Sequence, residues 1–130
     1  MAADSDPAPP SLLIVDDEDR ILSALRRTLC REGYEIITSE SVHGALEILD
    51  ERAVDMILSD QKMPGMSGLQ FLAEAAKRRP EAVRMLITGW TEEIPAQKLK
   101  QLGIIALINK PWDEVQLKEI LRRTSAGAST

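Results

Sequence analysis

Five short apolar runs punctuate the chain, and helical patterns fill the gaps between them. Ser11–Val15 is apolar after its serine and predicts a strand buried on both faces. Ile21, Leu22, Leu25 and Leu29 then recur at helical spacing, and Gly33 fits the C′ position that ends such a helix. Residues 34–38 are more mixed and predict a second strand at a sheet edge. Ser41 is placed to cap a helix whose stripe is Val42, Ala45, Leu46 and Leu49. Residues 54–58 predict the third strand, and 63–68 a loop by their Pro and Gly content. A helix over about 69–79 is stopped by Pro80, and 83–87 follow as the fourth strand. Residues 95–102 predict a shorter, more polar helix ending at Gly103, and 104–108 the fifth strand. Asp113 and Gln116 have capping-box spacing at the start of a last helix with the face Leu117, Ile120 and Leu121.

Strand and helix thus alternate strictly. Alternation implies right-handed crossovers and a parallel sheet covered on both faces, an α/β architecture. Polar groups stand where the runs stop: Asp16 and Asp17 after the first, Asp60 after the third, Thr88 after the fourth and Lys110 after the fifth. Open parallel sheets bind ligands at the carboxyl ends of their strands. If the acids after strands one and three share an ion, those strands are neighbours. That favours the flavodoxin-like order 2-1-3-4-5.

Three acids, a hydroxyl and an ammonium at one sheet edge suit a divalent cation and a phosphoryl group. Two like charges about 4 Å apart repel by about 4 kcal/mol at an effective dielectric near 20, so the carboxylates need a cation to ionise together. Mg²⁺ (or Mn²⁺) accepts such oxygens and keeps open positions for a phosphate oxygen. Asp60 ends the central strand and is the best nucleophile candidate, able to form an acyl phosphate. Thr88 and Lys110 are placed to contact phosphoryl oxygens, and Pro111 restricts the backbone that aims the lysine. Adjacent aspartates alone read equally well as a helix cap. The combination of all five positions removes that reading.

Composition narrows the classes further. A chain of 130 residues is one domain by length, with an ordinary 44% hydrophobic and 28% charged content. The net charge of −5 argues against direct nucleic-acid binding by charge alone. No apolar stretch is long enough for a membrane span, and the start lacks the pattern of a secretory signal. Residues 1–10 are expected to be a disordered leader and 125–130 a flexible tail or linker start, around a folded unit of 11–124. The lone Cys30 excludes an internal disulfide, fits a cytoplasmic protein and is expected to be a small packing residue of the first helix. His43 is expected at the surface.

Four segments together resemble the receiver domains of two-component response regulators, from about Ser11 to Arg123. They are Leu13-Ile14-Val15-Asp16-Asp17-Glu18; Ser59-Asp60-Gln61-Lys62-Met63-Pro64-Gly65-Met66-Ser67-Gly68; Ile87-Thr88-Gly89; and Lys110-Pro111-Trp112. Each is weak alone, and their order and placement make the resemblance specific. The second and fourth segments resemble a subgroup found ahead of cyclic-di-GMP phosphodiesterase or transcription-activating output domains. The resemblance implies that Asp60 takes a phosphoryl group from a phosphohistidine of a sensor histidine kinase or phosphotransfer protein. It implies Mg²⁺ bound by Asp17, Asp60 and the backbone carbonyl of Lys62, with Asp16 acting mainly through water. It implies that Thr88 and Lys110 contact the phosphoryl group, and that the surface of helix four, strand five and helix five signals to an output domain or partner. A homodimer through that surface is compatible with the resemblance.

One position departs from the family pattern. Three residues before the lysine, receivers usually carry Tyr or Phe, and this chain carries Leu107. The usual coupling of the threonine to an aromatic switch is therefore in question, with Trp90 or Trp112 as substitute reporters. The Lys62 side chain is either a solvated loop lysine or a modulator of dephosphorylation. The chain is read as a signalling module that catalyses only its own phosphorylation and dephosphorylation, with a phosphorylation-independent docking scaffold as the alternative. A phosphatase of the haloacid-dehalogenase type would need a second acid where Lys62 stands. A flavin phosphate would be repelled by the acidic first loop.

Overall fold

The structure is a computed structural model that describes residues 9–89 and 94–128. Five strands alternate with five helices: β1 (Ser11–Val15), α1 (Asp19–Leu29), β2 (Glu35–Ser39), α2 (Val42–Glu51), β3 (Met56–Asp60), α3 (Gly68–Arg78), β4 (Val83–Gly89), α4 (Ala96–Gln101), β5 (Ile104–Lys110) and α5 (Glu114–Ala128). All strand pairs are parallel, in the order β2-β1-β3-β4-β5. Both the alternation and the strand order agree with the sequence reading.

The period of two along each strand divides the core into two layers. Leu12, Ile14, Met56, Leu58 and Met85 meet Leu22, Leu25 and Leu29 of α1 and Leu117 and Leu121 of α5. Leu13, Val15, Ile57 and Leu86 point the other way, against Ala45 and Leu49 of α2 and Phe71 and Leu72 of α3. β1 and β3 are buried at every residue because they lie inside the sheet with helices on both faces. Fully burying one such Leu, Ile or Met side chain is worth about 1.5–3 kcal/mol. β2 lies at an edge and is only partly covered, as its mixed sequence predicts.

Local chemistry ends the elements. Ser41 Oγ accepts from the Gly44 N–H and caps α2. Ser67 and Gln70 form a reciprocal capping box on α3. Asp113 Oδ1 accepts from the Gln116 N–H at the start of α5. Gly33 and Gly103 adopt φ of 87° and 68°, left-handed values that suit glycine where helices turn into β2 and β5.

Two expectations differ from what is observed. Cys30 is exposed, not packed. It falls one residue past the last turn of α1, where its thiol donates to the Arg27 carbonyl, so its side chain has left the apolar stripe. α5 also continues through Ala128, across the first residues of the stretch expected to be a tail. Trp90, residues 1–8 and residues 129–130 lie outside the described residues.

Candidate functional site

The strand order brings the ends of β1 and β3 side by side, and their carboxylates with them. Val15 pairs with Ser59, so Asp16 and Asp60 leave adjacent strands at nearly the same level. Asp16, Asp17 and Asp60 each present an oxygen within 4.8 Å of the others. Asp16 and Asp60 are buried and Asp17 is exposed. This donor set, hard oxygens with one open side, fits a divalent cation such as Mg²⁺ and offers nothing to a soft metal.

Lys110 reaches the same cluster from the end of β5, just before a cis Lys110–Pro111 peptide. Its Nζ lies 3.0 Å from Asp16 Oδ2 and 3.0 Å from Asp60 Oδ1. Asp16 Oδ1 in turn accepts from the Glu18 N–H at 2.9 Å, so both oxygens of Asp16 are engaged. Burial pushes the Asp60 carboxyl above the usual carboxylate range; the Lys110 hydrogen bond opposes this and the Asp16 charge adds to it. Burial pulls the Lys110 ammonium down, but hydrogen bonds and charge from Asp16 and Asp60 outweigh it and leave the lysine raised and charged.

A cleft of about 390 Å³ opens over these groups, with Asp17, Asp60, Lys62, Thr88, Gly89 and Lys110 on its walls. The six metal and phosphoryl candidates from the sequence therefore converge: Asp16 lies beneath the cleft, and Asp17, Asp60, Lys62, Thr88 and Lys110 line it. Thr88 is buried at the end of β4, paired with Asn109 in β5. Its hydroxyl donates to the Gly89 carbonyl at 3.1 Å and must rotate to serve a ligand in the cleft.

Three residues contribute that the sequence pattern did not single out. Glu18 supplies the N–H that fixes Asp16. Ser59 is buried and donates through Oγ to the Asp60 carbonyl at 2.9 Å. Gln61 ties the end of β3 to the start of α3 through both its backbone and its side chain. A polar residue next to a strand-end acid is the signal that could have found Gln61, but its partner is set by the loop's closure. His43 is exposed and pairs with Glu47, as expected for a surface residue.

A doubly wound α/β sheet thus carries an acid cluster with the geometry to hold a metal ion, and a lysine beside it, at its carboxyl edge. Residues 12–122 match the response regulator receiver domain family, and the chain belongs to that family. It is 42% identical over 115 residues to the hydrogenase transcriptional regulatory protein HoxA of Cupriavidus necator, covering 87% of this chain and 23% of that protein. It is 31% identical over 113 residues to sporulation initiation phosphotransferase F of Bacillus subtilis, covering 86% of this chain and 90% of that protein. Among solved structures, the signal receiver domain of an HD domain-containing protein from Pseudomonas fluorescens Pf-5 superposes with a TM-score of 0.86 at 30% identity. That match covers 93% of this chain and 98% of the other. The chain spans about a quarter of the length of the transcriptional regulators it resembles. Among the described residues, no helix is long and apolar enough to cross a membrane.

Proposed function

We propose that the chain is a phosphorylatable receiver in which Asp60 accepts a phosphoryl group from a histidine kinase or phosphotransfer protein in the presence of Mg²⁺. The observation that carries this reading is the placement of Lys110 Nζ at 3.0 Å from Asp60 Oδ1 beside two further acids in an open cleft. A carboxylate oxygen of Asp60 attacks the phosphorus of a phosphohistidine. The P–N bond breaks as the new O–P bond forms, and the leaving imidazole takes a proton. Such a transfer depends on alignment and on neutralising charge rather than on covalent assistance.

The residues divide that work. Asp16, Asp17, Asp60 and the Lys62 backbone carbonyl would hold Mg²⁺, Asp16 chiefly through water. When bound there, the ion would supply positive charge against the acid cluster and the phosphoryl oxygens. Lys110, already raised and charged, follows one phosphoryl oxygen as it arrives. The Thr88 hydroxyl turns from Gly89 to donate to another. Burial of Asp60 limits the access of water to its acyl phosphate. The phosphorylated form then presents a changed α4, β5 and α5 surface to an output domain or partner, and self-dephosphorylation ends the signal.

Acetyl phosphate with Mg²⁺ tests the assignment. Wild type is expected to gain one acid-stable, hydroxylamine-labile phosphoryl group, and Asp60→Asn none. A wild-type chain that stays unmodified while binding its partner would instead support the phosphorylation-independent scaffold.

A further inference from the structure

Gln61 lies between the nucleophile candidate Asp60 and Lys62, whose carbonyl is assigned to the cation. Three of its polar groups are fixed. Its N–H donates to the Ile87 carbonyl at 3.1 Å, extending the β3–β4 ladder by one bond. Its carbonyl accepts from the Gly68 N–H at 2.9 Å. Its side-chain Oε1 accepts from the Leu69 N–H at 3.0 Å. Gly68 and Leu69 are the first two residues of α3, so Gln61 satisfies two of the donors that a helix start leaves without intrahelical partners.

These bonds are not needed merely to begin the helix. α3 already has a cap of its own, in which Ser67 Oγ accepts from the Gln70 N–H and Gln70 Oε1 accepts from the Ser67 N–H. What the Gln61 bonds add is attachment of the helix to the end of β3. The attachment is close: a Cβ on Gly68 would overlap the Asp60 carbonyl oxygen and approach Leu86 Cδ1 to 2.8 Å. The loop of residues 62–67 is thereby closed at its base by Gln61 on one side and by Gly68 and Leu69 on the other.

We propose that Gln61 is a positioning residue of the cation site, its carboxamide clamping the start of α3 so that the adjoining Lys62–Met63 peptide presents the Lys62 carbonyl in one fixed orientation. The inference rests on the Mg²⁺ site proposed above. Mg²⁺ demands near-ideal octahedral geometry, whereas Ca²⁺ accepts longer and more variable ligand distances. Loosening one carbonyl therefore penalises Mg²⁺ more than Ca²⁺, an effect that general loss of stability does not produce.

Calorimetric titrations of the full chain with Mg²⁺ and with Ca²⁺ test this, alongside hydrogen exchange at the Leu69 amide. Gln61→Leu is expected to expose the Leu69 amide and weaken Mg²⁺ binding about tenfold, the low end for removing a group that orients a ligand, with a smaller loss for Ca²⁺. Gln61→Glu keeps the acceptor and is expected to keep both Leu69 protection and Mg²⁺ affinity. Gln70→Ala removes one of the two bonds of the helix's own capping box, from the Ser67 N–H to Gln70 Oε1, and is expected to leave Mg²⁺ affinity unchanged. Gln61→Met is read by the same criteria should Gln61→Leu not fold. Unchanged Mg²⁺ affinity in Gln61→Leu, equal losses for both ions, or an equal loss in Gln70→Ala each overturns the clamp. A wild-type chain that binds no Mg²⁺ overturns the site assignment itself, a separable result.

Discussion

Lys110 Nζ lies 3.0 Å from Asp60 Oδ1, and the two side chains are 19% and 8% exposed. The same ammonium is 3.0 Å from Asp16, so one cation from β5 holds two buried acids from β1 and β3 together. Removing it leaves like charges facing each other in a partly closed cleft. Breaking a buried pair costs about 3–5 kcal/mol, and access of water through the cleft lowers the expected loss in Lys110→Met to about 2 kcal/mol. Mg²⁺ should restore part of that loss, because it supplies the missing positive charge. Urea unfolding with and without Mg²⁺ measures both quantities; equal losses in the two conditions would refute the electrostatic account.

Asp16 and Asp17 are neighbours with different environments, and their substitutions should separate binding from stability. Asp17 is exposed, so Asp17→Ala is expected to change stability by less than about 0.5 kcal/mol while sharply reducing Mg²⁺ affinity. Asp16 is buried and holds both the Glu18 N–H and Lys110. Asp16→Ala orphans that N–H and breaks an ion pair, so a loss of about 2–4 kcal/mol is expected in addition to weaker binding. Paired unfolding curves and metal titrations check the contrast. Equal stability of the two variants would show that Asp16 does not brace the site.

The contrast also marks how far the sequence could be read. Runs such as Leu12 to Val15 and Met56 to Leu58 are continuous because both faces are buried, and so they announce central parallel strands. Asp60 and Lys110 were legible because a polar residue ends an apolar run at the sheet edge where ligands bind. β4 and β5 nonetheless run two residues further than their apolar patterns, through Gly89 and Lys110, because the ladder continues under polar side chains. The bond from Leu69 to Gln61 spans eight residues and depends on how a loop closes, which no local pattern encodes. Cys30 misled because helical spacing specifies direction only while the helix lasts.

Tyr34 gives a pH-dependent prediction away from the site. It is the only tyrosine of the chain and packs partly buried against the first core layer. Burial raises its phenol above the ordinary value, with the Glu32 charge adding and the Ser125 hydrogen bond and Arg122 charge opposing. A raised folded value means that the neutral phenol is favoured in the native state. Its contribution to stability is therefore present below the unfolded value, near 10, and lost as pH rises through the folded one. Ultraviolet titration of the tyrosinate in native and urea-unfolded protein reads both values. Coincident titrations would remove burial as the cause.

Leu107 bears on how the phosphorylated state is read out. It is 38% exposed on the edge strand β5, beside a crevice lined by Pro111, Gln116 and Ile120. Its neighbour across the ladder is Leu86, two residues before Thr88. A leucine there offers neither an aromatic plane to pack behind a rotating threonine nor a hydroxyl to exchange partners. Reorientation of Thr88 should then stay local. Beryllofluoride with Mg²⁺ is expected to perturb amide resonances around Asp60 and Thr88 strongly and those of α4 weakly. Leu107→Tyr is expected to extend the perturbation into α4 while altering stability by less than about 0.5 kcal/mol, because the position is partly solvated. Perturbations of α4 that are already as large in wild type as in Leu107→Tyr would show that the signal crosses β4 and β5 without an aromatic side chain.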